Sequence, residues 1–310
     1  MRIAITGASG LIGAALVRAL RARGDEPLRL VRRPAQARDE LRWDPGACVL
    51  DASALEGLDA VVNLSGESIA AGRWTEAKKA RLRDSRVGPT RFLAETLAKL
   101  SRKPRVLISA SAVGYYGDRG SAWLPETEPP GADYFGRLCV EWEAAAAPAA
   151  RAGIRVVHPR TAIVLSREGG ALATMLRPFR LGLGGIVGSG RQYFSWIALD
   201  DMVGVLLHLL DHADLAGPVN AASPAPVTNA ELTKTLGRVL HRPTFVPVPA
   251  AALRLALGQM ADAVLASARL VPQRLADSGY SFRFPELEGA LRHVLGRERW
   301  PAKGSVRQKV

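Results

Sequence analysis

The stretch Met1-Arg-Ile-Ala-Ile-Thr-Gly-Ala-Ser-Gly-Leu-Ile-Gly13 decides the fold. Its apolar run Ile3 to Ile5 predicts a buried strand, and Gly7, Gly10 and Gly13 follow it. Leu11, Ile12, Leu16, Val17 and Leu20 then recur at helical spacing until Gly24. Strand, glycine turn and helix in that order make a dinucleotide site. The first glycine lets the chain turn, and the second lets backbone N–H groups approach a pyrophosphate. The third lets the helix pack close to the strand, its positive end toward the phosphates. Gly7, Ser9, Gly10, Leu11, Ile12 and Gly13 are the candidate contacts of this turn. Its first glycine gap is one residue wider than usual.

Outward from this turn, Pro27 to Val31 reads as the second strand, with Arg32, Arg33 and Pro34 behind it. The end of this strand meets the adenosine ribose. An acid there bonds the 2′-hydroxyl and repels a phosphate, whereas arginine accommodates a 2′-phosphate. The position is doubly basic with no acid beside it in sequence, which favours NADP(H) over NAD(H). Ala35 to Ser53 reads as irregular, with a turn at Trp43 to Gly46. Gly57 to Asn63 is the next strand, and Leu64, Ser65 and Gly66 leave it as a small-residue loop able to pass close under a cofactor. Thr75 is a candidate N-cap. Pro104 to Ile108 is a further strand, leading into Ser109-Ala-Ser-Ala-Val-Gly-Tyr-Tyr-Gly117.

Composition bounds the alternatives. The chain has 310 residues, 48% of them hydrophobic, enough for a sizeable core. Its two cysteines, Cys48 and Cys139, lie far apart, suiting a reducing compartment and a packing role. The first strand starts too early for a signal peptide, and no apolar run is long enough to span a membrane, so a cytoplasmic location is expected. The net charge of +13 is spread along the chain without a dense basic block or a nucleic-acid-binding signature. A basic surface is the simpler reading, and no nucleic-acid partner is expected. None of the five histidines sits at metal-ligand spacing, and His158 reads as packing.

The N-terminal fingerprint together with Ser-x-Ser-x-x-Gly-Tyr-Tyr-Gly resembles the extended short-chain dehydrogenase/reductases. Trp74-Thr75, Ser85-Arg86-Val87, Ala110-Ser111-Ala112, Trp142-Glu143, Trp196-Ile197 and Asp200-Asp201 narrow the likeness to the "epimerase family protein" branch, which carries a C-terminal domain of unknown function. The resemblance implies an α/β fold: a doubly wound parallel sheet (Rossmann-like) with a small, mostly helical C-terminal lobe. It divides the chain into a nucleotide-binding domain over 1–225 and the C-terminal domain over 245–295, while the polar composition of 301–310 reads as a disordered tail. It implies NADP(H)-dependent oxidoreductase or epimerase chemistry on a small molecule. The alternative is a non-catalytic NADP(H)-binding sensor. A monomer or homodimer is expected.

The superfamily uses a serine to polarise the substrate oxygen, a tyrosine as acid/base, and a lysine four residues later to lower the tyrosine pKa. Ser111 is the preferred serine and Ser109 the alternative. No Tyr-x-x-x-Lys pair is present. Arg137 matches the lysine, and Tyr134, three residues before it, shares its helical face. Tyr115 and Tyr116 are the substitutes for Tyr134. Arg160, behind the strand Ile154 to His158, is assigned to the second approach to the nicotinamide end.

Further along, Glu141 to Ala152 reads as a helix that Pro148 kinks or ends. Leu181 to Tyr193 is glycine-dense, a flexible loop whose Arg191, Gln192 and Tyr193 are candidate substrate contacts. One of Asp200 and Asp201 is expected to cap the apolar helix that follows. Thr228-x-x-Glu231 predicts a capping box, and Ala250 to Leu270 a nearly uncharged helix.

Overall fold

The computed structural model describes residues 1–69 and 74–297. The tail expected over 301–310 lies outside them. The first half alternates strands and helices: β1 Arg2–Thr6, α1 Leu11–Ala22, β2 Glu26–Val31, β3 Glu40–Asp44, β4 Val49–Leu50, β5 Ala60–Asn63, α2 Glu76–Asp84, α3 Val87–Lys99, β6 Val106–Ser109, β7 Ser111–Ala112 and β8 Trp123–Leu124. The chain continues with α4 Tyr134–Ala144, α5 Ala147–Arg151, β9 Arg155–Thr161, β10 Ile163–Leu165, α6 Gly170–Arg180, β11 Tyr193–Phe194, β12 Trp196–Ala198, α7 Leu199–Asp211 and β13 Gly217–Ala221. It ends in β14 Val227–Thr228, α8 Asn229–Leu240, α9 Ala250–Leu257, α10 Met260–Leu265, β15 Arg269–Leu270, α11 Gln273–Asp277 and α12 Leu287–Val294.

The main sheet runs β13-β9-β6-β5-β1-β2-β3-β4, parallel except for the β3–β4 hairpin. Both its faces are covered, and its strands are apolar at successive positions because of it. Ile3, Ile5, Val62, Ile108 and Val157 face the core beneath α1 and α7. The intervening Ala4, Val61, Leu107 and Val156 face the opposite core under α3 and α5. A third core gathers α6, α8 and α12 around Trp196 and Phe284, forming the helical C-terminal region. Crossovers of this kind bring the loops at the strands' carboxyl ends to one edge of the sheet, where such folds bind ligands.

Several local readings change. The segment after Pro34 is not wholly irregular, because β3 and β4 extend the sheet by a hairpin. The helix through Pro148 breaks earlier, between Ala144 and Ala147, and the proline sits in the first turn of α5, where its missing N–H costs nothing. The helix expected over 250–270 is two short helices parted at Gly258 (φ 61), followed by a strand. Neither Asp200 nor Asp201 caps α7, whose N-cap is Ala198. Asp201 is fully buried and accepts the backbone N–H groups of Arg283 (2.7 Å) and Phe284 (2.9 Å), tying α7 to the C-terminal segment. Cys139 is buried, but Cys48 is exposed. Thr75 does cap α2, and Thr228 with Glu231 forms the capping box.

Candidate cofactor and active site

Gly7 takes φ +65, and a Cβ there would lie 2.6 Å from the Leu64 carbonyl oxygen. A Cβ on Gly13 would overlap the Gly7 carbonyl oxygen. Absence of side chains at these positions lets three things meet: the end of β1, the start of α1 and the Leu64–Gly66 loop. Gly10 is the N-cap of α1 and brings no side-chain hydrogen bond, so the first-turn N–H groups are left for another acceptor. This uncapped, positive helix end, walled by glycine, fits a pyrophosphate. Ser9 is exposed, and Leu11 and Ile12 are half-buried at the same turn.

The facing loop is fixed from behind. Thr6 Oγ1 donates to Asn63 Oδ1 (2.6 Å) and accepts the Leu64 N–H (3.1 Å), while Asn63 Nδ2 donates to Thr90 Oγ1 (2.9 Å). The Arg86 guanidinium lies under Gly66 and donates to the Glu67 carbonyl (2.9 Å). Burial pulls the Arg86 pKa down. Sequence reading did not single out Arg86 as a support for this loop.

At the ribose end an acid is present after all, supplied by the next strand. Glu40, at the start of β3, accepts from Arg33 Nη1 (2.8 Å) and Nη2 (2.6 Å), from the Gln36 N–H (2.8 Å), and pairs with Arg29 (3.1 Å). Its side chain is only 2% exposed, and the Arg33 fork together with the Gln36 N–H holds its pKa down to about 2. Arg33 is thus engaged by a carboxylate. Arg32 is exposed and forms no hydrogen bond or ion pair among the described residues.

The candidate catalytic residues are dispersed. Ser109 is fully buried beside Asn63 Nδ2 (3.4 Å). Ser111, 3% exposed, donates to Glu143 Oε1 (2.6 Å). Register places Ser111 opposite Arg160 on β9, whose guanidinium pairs with both Glu143 oxygens (2.9 and 3.0 Å) and donates to the Tyr116 hydroxyl (3.0 Å). Burial disfavours that charge, yet the Glu143 carboxylate keeps the Arg160 pKa above its ordinary value. The Arg160 guanidinium carbon lies 3.3 Å from the Tyr115 ring centroid. Tyr116 is fully buried, donates to Asn220 Oδ1 (2.7 Å), and is pushed up to about 12 by burial, so it stays protonated and is a weaker acid than a free phenol.

Tyr134 and Arg137 are not brought together. The Tyr134 hydroxyl donates to the Lys79 carbonyl (2.7 Å), its ring packs edge-on to Trp74, and burial raises its pKa. Arg137 is exposed and donates to the Ala132 carbonyl. Tyr134 reaches α2, whereas Arg137 turns to solvent. His158 is buried with Nδ1 at 3.2 Å from the Ser109 carbonyl, and burial lowers its pKa. In the glycine-dense segment Gln192 is buried and donates to the Val187 carbonyl (3.0 Å), while Arg191 is exposed. Among the described residues no cluster of His, Cys, Asp or Glu is arranged to hold a metal ion, and no helix is long and apolar enough to cross a membrane.

A parallel, doubly wound sheet with an uncapped glycine-walled helix at its carboxyl edge defines a dinucleotide-binding α/β protein. The model of the NAD-dependent epimerase/dehydratase family matches residues 3–222, and that of a domain of unknown function (DUF1731) matches residues 248–294. The chain belongs to that epimerase/dehydratase family. It is 45% identical over 296 residues to the epimerase family protein Mb2239 of Mycobacterium bovis, covering 95% of this chain and 98% of that one. It is 39% identical over 299 residues to the human epimerase family protein SDR39U1, covering 95% and 100%. The crystal structure of human SDR39U1 (isoform 2) with NADPH superposes with a TM-score of 0.88 at 36% identity, covering 96% of this chain and 100% of that chain. A nucleoside-diphosphate sugar epimerase from Corynebacterium glutamicum superposes at 0.80 and 37% identity, covering 96% of this chain and 59% of that one.

Proposed function

We propose that the protein is an NADP(H)-dependent oxidoreductase or epimerase acting on a small molecule in the cytoplasm, with no nucleic-acid partner. The observation that carries the cofactor reading is the glycine-walled end of α1 with an unpaired Arg32 at the end of β2. The NADPH of the human relative's structure supports it. The residues that would hold the cofactor are Gly7, Gly10 and Gly13 at the pyrophosphate, Leu64 to Gly66 beside it, and Arg32 at the 2′-phosphate. The bound nicotinamide supplies hydride chemistry.

Tyr115 is the favoured proton-moving group. It is half-buried on the loop leaving β7, and its ring is held by Arg160. Tyr134 is disfavoured because its hydroxyl is engaged by a carbonyl on α2. Ser111 would polarise a substrate oxygen only by turning its hydroxyl away from Glu143, to which it donates. The second reading, a cofactor-binding sensor, draws on the separation of Tyr134 from Arg137. NADPH deuterated at the nicotinamide C4 position, incubated with a panel of carbonyl compounds, separates the two. Label transfer that falls with Tyr115→Phe supports the enzyme. Transfer to no carbonyl, with NADPH still bound, supports the sensor.

A further inference from the structure

Among the described residues the Arg269 side chain has no carboxylate partner. The Arg269 guanidinium carbon lies 3.5 Å from the Trp123 ring centroid and 4.3 Å from that of Tyr193. Three distant segments meet here. Arg269 pairs with Trp123 in the β15–β8 register, and Tyr193 closes the glycine-dense segment. Among the described residues the Arg269 side chain makes no hydrogen bond or ion pair, and its Nε is a buried nitrogen with no partner. The side chain is only half-buried, so its accessible edge is the Nη end. Glu231 feels the Arg269 charge, but its Oε2 already accepts the Thr228 N–H (2.7 Å) and hydroxyl (2.9 Å).

Aromatic faces hold a guanidinium without neutralising it or using its N–H groups. A buried N–H left without an acceptor is costly. Arg33 and Arg160 instead spend their forks on Glu40 and Glu143. Trp123 is 51% exposed, so the stack lies at the surface where a solute reaches it. Two parallel Nη donors complement a planar or tetrahedral oxyanion. The stack is also tied to the candidate site. Asn220 Nδ2 donates to the carbonyls of Leu124 (2.9 Å) and Val271 (2.8 Å), and its Oδ1 accepts the Tyr116 hydroxyl, next to Tyr115.

We propose that Arg269, held by Trp123 and Tyr193, binds the carboxylate or phosphate group of the small molecule on which the protein acts. This rests on the reading of the protein as acting on a small molecule, and it makes that molecule an anion.

Calorimetric titration of the NADPH-saturated full chain with sodium malonate and, separately, inorganic phosphate tests it. One or both should bind, and Arg269→Gln should weaken binding by about tenfold or more. NADPH affinity should stay within about twofold of wild type, since Arg269 is not assigned to the cofactor. Preference for malonate points to a carboxylate substrate, and preference for phosphate to a phosphorylated one. Should NADPH not bind, the same titrations on Arg32→Ala, which lacks the competing cation, decide the anion site by themselves. Should Arg269→Gln not fold, Arg269→Lys keeps the charge and loses the fork, and weaker binding is again expected. Equal anion affinity in wild type and variant, or no anion binding by wild type, overturns the proposal.

Discussion

Replacing Arg32 and Arg33 one at a time should give opposite results, although the two residues are adjacent and both basic. Arg33 is bidentate to a buried Glu40, so a phosphate would have to compete with a carboxylate already in place. Arg32 is exposed and, among the described residues, has no hydrogen-bond or ion-pair partner. A charge-assisted hydrogen bond to an oxyanion contributes about 1.5–3 kcal/mol. Arg32→Ala should therefore weaken NADPH by about ten- to a hundredfold and leave NADH within about twofold. Arg33→Ala should change the NADPH/NADH ratio by less than about threefold, but lower the melting temperature, because Glu40 keeps only Arg29 and the Gln36 N–H. Fluorescence titration of each variant with both nucleotides, beside a thermal melt, reads all four quantities. The division fails if Arg33→Ala abolishes the NADPH preference while Arg32→Ala retains it.

Other expectations follow from single contacts. Gly13→Ala puts a methyl group into the Gly7 carbonyl oxygen, so α1 must shift and affinity for either nucleotide should fall by at least about tenfold in the same titration. Glu40 has a depressed pKa, so its contribution is present above the unfolded value near 4.5 and is lost as pH falls toward about 2. Urea unfolding across that window should show Glu40→Gln losing less stability with acid than wild type. Tyr134→Phe removes only the bond to the Lys79 carbonyl, so chemical denaturation should show a loss of about 0.5–1.5 kcal/mol, with any label transfer from NADPH unchanged.

What was legible in the sequence was local. The glycine turn, the Thr75 cap and the Thr228–Glu231 box each depend on residues a few positions apart, and the structure forms them as spaced. Tyr134 and Arg137 are spaced to share a helical face, but spacing does not say what each side chain meets: Tyr134 bonds α2 and Arg137 stays exposed. Glu40 reaches Arg33 only through the β2–β3 register, across a segment with no periodic pattern. Glu143, Ser111, Arg160 and Asn220 come from a helix and three strands, and no spacing joins them. Asp201 lies where a cap belongs, but the partners of its carboxylate are backbone groups at Arg283 and Phe284, which sequence cannot show.

The most direct test of the account is a titration of the wild-type chain with NADPH and NADH, followed by nicotinamide fluorescence. Both nucleotides should bind saturably, with NADPH tighter by about tenfold or more, a difference of about 1.4 kcal/mol. Failure of both nucleotides to bind, or an equal or tighter fit for NADH, would contradict it.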